Sequence, residues 1–425
     1  MAWPYKKAMI QKIKGTMDLL PEQTPLYRHM EQVMREEAEK YGFGEIRTPM
    51  FENTELFVRG VGDTTDVVQK EMYTFVDKDE GRSITLRPEG TASVARAVIE
   101  NGRYGDAMPL KYYYIISCFR HEAPQAGRSR EFFQFGTEMF GSDAPAADAT
   151  SIALAASVFR RLGLDNVKLH INSIGCKTCR PAYRQALVEY FSGHEAELCD
   201  TCRVRLKKNP LRLLDCKSPI CSAIAKNAPK TVDHLCPDCR AHFEQLQASL
   251  EAMGIPYTVD TGIVRGLDYY TRTVFEFIAE GIGAQSTVCG GGRYDGLIAE
   301  LGGPDLPGIG FAMGLTRVEL ALKQKGLGEI PASHPRLYLA ALGQAATVTA
   351  LAVTERLRRE GLFVECDTMG RSLKAQMKYA NKIGAEYTLI LGDNEVQSGR
   401  AMLRNMQTGE QKEVELATFR PDFAE

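Results

Sequence analysis

The chain has 425 residues, room for two or three domains with ample core, and its 44% hydrophobic and 25% charged content is ordinary for a soluble globular protein. A formal net charge of -2 excludes a chain that is cationic throughout, so any surface for nucleic acid has to be local. No run is apolar and long enough for a secretory signal or a bilayer span, which predicts a cytoplasmic location and no membrane partner; in such a compartment eleven cysteines point to metal rather than to disulfides.

Residues 23–41 place Leu26, Met30, Val33, Met34 and Ala38 at helical spacing among charges, and Gly42 and Gly44 end that helix. EIRTPMFENTELF, residues 45–57, reads as a strand; its Pro49 cannot donate to a ladder and so belongs at an edge or an interface. Residues 83–87 form another strand. Pro88, Glu89 and Thr91 then suit the start of a helix, where exposed amides favour a carboxylate. Residues 111–140 read as two strands, about Lys111 to His121 and Glu131 to Phe140, joined by a polar loop marked by Pro124, Gly127 and Ser129. Alternation gives them one apolar face of Tyr113, Ile115, Phe119, Phe133, Phe135 and Met139. The other face carries Arg120, Glu122, Gln134 and Glu138, with Phe132 and Gly136 among them. That mixture suits either the floor of a ligand site or an ordinary hydrated hairpin.

A helix from Ala146 to Leu162 and a strand over 166–173 follow, and then the pattern breaks. CKTC at 176–179, CDTC at 199–202, CKSPIC at 216–221 and CPDC at 236–239 hold eight of the eleven cysteines, in a stretch that otherwise reads as helical up to about residue 258. Paired thiolates at this spacing suit tetrahedral zinc, and eight of them close one site or two; free buried thiols are the alternative. Cys176 and Cys179 with Cys236 and Cys239 bracket the module and are the first pairing expected to hold a structural ion. Over 176–242 there are 12 Lys+Arg against 7 Asp+Glu, a net of +5.

Residues 259–322 contain two strand-like runs around 265–270. Alternation there sets Arg265 and Tyr269 on one face and Tyr270 on the other, unless a bulge intervenes. Three glycines, 290–292, admit close approach of backbone or ligand. No lysine and serine follow in the Walker pattern, so this is not that kind of phosphate loop. Arg317 falls in the first turn of a helix. From about Ala332 strands alternate with helices, as in a small mixed or parallel sheet. There Arg371, Lys374, Lys378 and Lys382 recur at three- and four-residue spacing with no acid among them, which fits a solvated helix face or one that meets phosphate.

FRHEAPQAGRSREFFQFGTEMFG at 119–141 resembles motif 2 of the class II aminoacyl-tRNA synthetases, and GIGFAMGLTRVELAL at 308–322 resembles motif 3. RGLDYYT at 265–271 and CGGGRYDGL at 289–297 are similar to signatures of the histidyl-tRNA synthetase family. The first helix with its proline-bearing strand resembles motif 1, a dimer interface in these enzymes. The resemblance spans nearly the whole chain and implies an α+β fold. A class II antiparallel-sheet catalytic domain would occupy 1–171 and 259–325, interrupted by a helical Cys-rich insertion over 172–258. A C-terminal α/β anticodon-binding domain would occupy 332–425. The resemblance further implies a homodimer with L-histidine, ATP with magnesium, and tRNA(His) as partners.

The implied reaction forms histidyl-adenylate from ATP and histidine, then passes the histidyl group to the tRNA. Both reactants of the first step are anionic, and arginine is the permanently charged, bidentate answer to that. On the resemblance, Arg120 and Arg265 would be the catalytic residues, meeting the α-phosphate from two sides. Arg128 and Arg317 would take the outer phosphates, Glu122 the adenine amino group, and Phe132 would stack on the ring. Glu89 and Thr91 would hold the α-ammonium, with Gln134 near it. Glu138 and Tyr270 would bond the imidazole nitrogens, and Tyr269 and Tyr294 would line the walls. The basic insertion would grip the tRNA acceptor stem, while Arg371, Lys374, Lys378 and Lys382 would contact tRNA phosphates. Two rival readings are a histidine-binding regulatory subunit of ATP phosphoribosyltransferase and a synthetase for threonine, proline or glycine. Arg120, Arg265 and Arg317 together with the C-terminal domain weigh against the first, and the two histidine-type signatures against the second.

Overall fold

The computed structural model describes residues 9–63, 65–78, 81–214, 216, 218–263, 267–282, 286–331 and 333–420. The chain divides into two compact units, Met1–Ile330 and Pro331–Glu425. The first is built on an eight-stranded sheet in the order Gly44–Glu45, Leu110–Phe119, Glu131–Phe140, Gly308–Gly314, Thr287–Arg293, Thr271–Ala279, Val167–Ser173, Tyr257–Val259. The two edge strands pair in parallel, and every pairing between them is antiparallel. Strands far apart in the chain thus become neighbours. Gly308 faces Phe140 and Gly314 faces Gln134, so the motif-3 strand extends the 110–140 hairpin.

The apolar face read from alternation packs on the first helix, Thr24–Lys40, and on Pro145–Arg161, with Tyr113, Phe135 and Met139 in the shared core. The opposite face is not simply polar. Tyr114, Ile116, Cys118 and Phe140 are buried there beneath the helix Thr91–Glu100 and the tyrosines 269, 270 and 294. The sheet is therefore covered on both sides, and antiparallel strands of this kind carry apolar side chains at both parities.

The single strand expected over 45–57 is instead two short strands, Gly44–Glu45 and Phe51–Asn53, followed by a helix, Thr54–Val61. Pro49 falls in the break, and a guanidinium fills it. Arg87 donates to the carbonyls of Thr48 at 2.7 Å, Pro49 at 3.0 Å and Ser117 at 2.7 Å. Phe51–Asn53 belongs to a separate three-stranded sheet, flanking Ser83–Leu86 opposite Tyr73–Val76. The insertion carries helices Arg180–Ser192, Asp200–Lys208, Pro219–Ala225 and Pro237–Ala252. The first three enclose a small core of their own around Tyr183, Leu187 and Phe191, whereas the last packs Phe243, Leu246 and Leu250 into the main core.

The second unit is a five-stranded sheet in the order Val364–Cys366, Leu337–Ala341, Tyr387–Leu391, Arg400–Asn405, Gln411–Glu415. Its first two pairings are parallel and its last two antiparallel, the mixed form of the α/β pattern. Leu373–Lys382 docks through buried Gln376, whose amide accepts from the Ala341 N–H and donates to the Ala341 carbonyl, both at 2.8 Å. Among the described residues no helix is long and apolar enough to cross a membrane.

Candidate active site

A hollow of about 840 Å3 opens on the tyrosine-bearing face of the large sheet, a volume suited to a substrate with its nucleotide. Its floor is strands Glu131–Phe140, Gly308–Gly314 and Thr287–Arg293. The starts of helices Thr91–Glu100 and Leu315–Gln324 and part of the insertion complete the rim.

Three arginines reach this hollow from two distant stretches. Arg120 is fixed by its Nε, which donates to the Pro88 carbonyl at 2.8 Å, and by its position 5.4 Å from the centre of the Phe132 ring. Arg128 lies 2.8 Å from Glu122 across the hairpin loop. Arg317, in the first turn of its helix, donates to the carbonyl of Gly127 at 3.2 Å and to that of Thr287 at 2.7 Å. Its guanidinium therefore ties the hairpin loop to the central strand. Arg265 lies outside the described residues.

Two buried carboxylates distinguish the other region. Glu89 accepts the Thr91 N–H and the Ala92 N–H, each at 2.8 Å, so it does cap the start of Thr91–Glu100. It also lines the hollow with only 3% of its surface exposed. Burial raises its pKa, and the two amides with nearby Arg120 offset that only in part. Glu138 is fully buried and stands beneath the wall rather than on it. One oxygen accepts from Thr91 Oγ1 at 2.7 Å and from the Tyr114 hydroxyl at 2.9 Å; the other accepts from the Tyr294 hydroxyl. Burial pushes its carboxyl up to about 8 against the pull of these hydroxyls, and the Glu89 charge adds to the push.

Glycines make this packing fit. A Cβ at Gly90 or Gly136 would clash with the hydroxyl end of the Tyr114 ring, and one at Gly310 with Glu138 Oε2. Tyr269 and Tyr270 both line the hollow, with ring centres 4.6 Å apart, and Tyr294 lies 5.5 Å from Tyr269. The alternation expected around 269–270 fails because these residues form a turn ahead of strand Thr271–Ala279, not part of a strand. Thr91 and Gln134 complete this region.

Several lining residues escaped the sequence reading. Glu276 accepts the Thr287 hydroxyl at 2.7 Å; an acid between Phe275 and Phe277 was its signal. Leu214, Cys216 and Ser222 come from the insertion, for which no local pattern existed. Just behind the tyrosines, fully buried Arg293 donates to Asp148 at 3.0 Å, to Asp295 at 3.0 Å and to the Ser142 carbonyl at 2.8 Å. Asp148 also accepts from Thr273 at 2.5 Å and lies 2.7 Å from His242 Nε2. Burial works against the Asp148 charge, but His242 and Arg293 prevail and hold its carboxyl below the usual range. Cys118 is no nucleophile: it is wholly buried, its thiol is pushed up to about 12 by burial, and it donates to Gln134 at 3.5 Å.

The thiols of Cys176, Cys179, Cys236 and Cys239 converge within 4.8 Å of one another. In the second unit Lys374, Lys378 and Lys382 are exposed along Leu373–Lys382. Arg371 is not on that open face, since it pairs with Asp367 at 3.0 Å and stacks 4.3 Å over the Tyr379 ring.

Residues 15–318 match the family model of histidyl-tRNA synthetase, and residues 336–423 match that of an anticodon binding domain. The chain is 52% identical over 403 residues to the histidine–tRNA ligase of Desulforamulus reducens, covering 95% of this chain and 96% of that protein. It is likewise 52% identical over 411 residues to the histidine–tRNA ligase of Acetivibrio thermocellus, covering 97% and 98%. Among solved structures it is similar to apo S. aureus histidyl-tRNA synthetase, with a TM-score of 0.81 and 39% identity over 96% of this chain and 98% of that one.

Proposed function

The chain belongs to the histidyl-tRNA synthetase family, and from that premise we propose how its own residues divide the work. Its reaction is that of a histidine–tRNA ligase: ATP and L-histidine give histidyl-adenylate and pyrophosphate, and the histidyl group then passes to tRNA(His). One observation carries the assignment of roles. A single hollow joins guanidinium groups from Arg120, Arg128 and Arg317 to a tyrosine wall backed by buried carboxylates.

Adenylation sets one anion against another, so cations held in place are worth more than a nucleophilic side chain. Arg120, oriented by the Pro88 carbonyl, meets the α-phosphate and the histidine carboxylate. On the resemblance of RGLDYYT, Arg265 would act on that phosphate as well. Arg128 and Arg317 hold the outer phosphates, while Glu122 accepts from the adenine amino group and Phe132 stacks on its ring. Magnesium would supply further positive charge at the outer phosphates, and Glu276, a carboxylate lining the hollow, would help to hold it.

Glu89 and Thr91, with Gln134, hold the α-ammonium. Glu138 acts on the imidazole through Tyr294, whose hydroxyl it fixes in place. Tyr270 and Tyr269 close the pocket. Such a site strands its buried polar groups when a side chain without ring nitrogens enters, which is the basis of strong rejection.

The basic insertion and the exposed lysines 374, 378 and 382 suit tRNA phosphates. A homodimer is supported by Met50, Phe51, Phe75 and Val76, large apolar side chains left open on the small sheet and next to Pro49. The cytoplasm is the compartment in which such an enzyme would work. Zinc held by Cys176, Cys179, Cys236 and Cys239 would be architectural. Sulfur separations of 3.7 and 3.9 Å fit the edge, about 3.8 Å, of a tetrahedron with Zn–S bonds of about 2.3 Å. ATP–pyrophosphate exchange tests the reading: histidine alone among the amino acids should support it. Exchange with none, or with another amino acid, would defeat these assignments.

A further inference from the structure

The insertion gathers a second group of four thiols, and we infer that Cys199, Cys202, Cys216 and Cys221 form a second zinc site that builds one wall of the substrate hollow. The four Sγ atoms lie within 4.8 Å of one another. Cys199 and Cys216 are 3.9 Å apart at sulfur, near the edge of about 3.8 Å expected for a zinc tetrathiolate. That is almost twice a disulfide bond of about 2.05 Å. The Cys199 amide donates to Cys221 Sγ at 3.3 Å, the kind of bond that orients a thiolate ligand and favours its charge.

Free thiols do not account for the arrangement. Cysteines that serve as small hydrophobes sit singly, as Cys118, Cys289 and Cys366 do in three separate clusters. The other eight converge in two fours instead. Cys202 and Cys221 are almost wholly buried, while Cys199 and Cys216 keep some access, so an ion can enter and still end up enclosed. A zinc with four thiolates carries a net -2, and the surplus of basic residues in this module, 12 against 7 over 176–242, offsets it. The module also needs a staple: among the described residues its own core is nine buried side chains, including Cys202 and Cys221 themselves.

The site differs from the first in what it touches. Leu214, Cys216 and Ser222 line the hollow, and Cys216 is one of the proposed ligands. The ion would pin this segment to helix Asp200–Lys208, so the metal shapes the enclosure in which substrates sit; this consequence rests on the hollow being the substrate site.

The test is zinc per chain, by mass spectrometry, on the full chain purified without a histidine tag or chelator. Wild type should hold two, and Cys179→Ser and Cys202→Ser about one each. One zinc in wild type that Cys179→Ser loses and Cys202→Ser keeps would overturn the second site and leave the first standing. No zinc, or thiols found paired as disulfides, would overturn the inference outright. Amide exchange then reads the wall without relying on either variant's folding. Chelated wild type should lose protection over 211–225 while the 110–140 hairpin keeps its own. Unchanged protection over 211–225 would refute the metal's part in the wall. Neither readout involves catalysis, so failure of the hollow to support pyrophosphate exchange would leave the zinc count untouched and be told apart from it.

Discussion

At the scale of single residues, burial sets the protonation of Glu138. Its carboxyl is pushed up to about 8 from an ordinary value of 4.5, so between those two pH values the folded chain holds a proton that the unfolded chain has lost. Its contribution to stability is therefore full below about 4.5 and drains away as pH rises towards 8. Glu138→Gln keeps a neutral group of the same shape, and urea midpoints should lose that slope, with the variant gaining on wild type at pH 9 by on the order of a few kcal/mol. An unchanged slope would contradict the raised pKa. The same variant should raise the KM for histidine with that for ATP little altered, since the carboxylate stands behind Tyr294 and Thr91 and not among the arginines. Arg265→His tests a role that rests on the resemblance alone: exchange should vanish while the melting temperature holds. Near-normal exchange would remove Arg265 from the reaction. The sequence exposed residues such as Arg120 and Phe132 because alternation assigns a face. It could not give depth, so Glu138 read as an equal of Gln134. Nor could it reveal Arg87 or Arg293, whose partners are carbonyls and acids from distant segments.

At the scale of elements, glycines in the sheet let side chains lie where a Cβ would otherwise exclude them. The run at 290–292 was visible as a string, but the need for Gly310 was not. Gly310 is opposite Glu138 in the register, and that pairing joins strands some 170 residues apart. A Cβ at Gly310 would meet the Glu138 carboxylate and the Thr137 carbonyl, a backbone atom that has nowhere to move. Gly310→Ala should cost about 1–3 kcal/mol, as overpacking does, and lower histidine activation more than ATP binding by displacing Glu138. A thermal melt and exchange kinetics on one preparation check both halves; a melting temperature equal to wild type would mean the strand adjusts and the close fit is unimportant. Similar reasoning explains the mistaken strand over 45–57. Pro49 signalled a broken ladder, but only Arg87, thirty-eight residues later, shows how the orphaned carbonyls are satisfied.

For the whole molecule, the division at Ile330 and Pro331 falls between the candidate active site and the candidate tRNA face in the sequence. Every lining residue of the hollow, from Glu89 to Arg317, lies in the first unit. The second unit has a core of its own around Leu337, Leu339, Leu357 and Leu389. A chain cut after Ile330 should therefore still exchange pyrophosphate with histidine within several-fold of the full chain, and should charge tRNA poorly. In the full chain, replacing Lys374, Lys378 and Lys382 together by alanine should leave exchange untouched and weaken tRNA binding. If each lysine meets one phosphate, the slope of log affinity against log salt should flatten by roughly 0.7–0.9 per lysine. A truncated chain that folds but cannot adenylate would mean that the hollow takes its working shape from the second unit. A salt slope unmoved by the triple substitution would make that helix face a solvated one, which is the plainer reading its spacing allows.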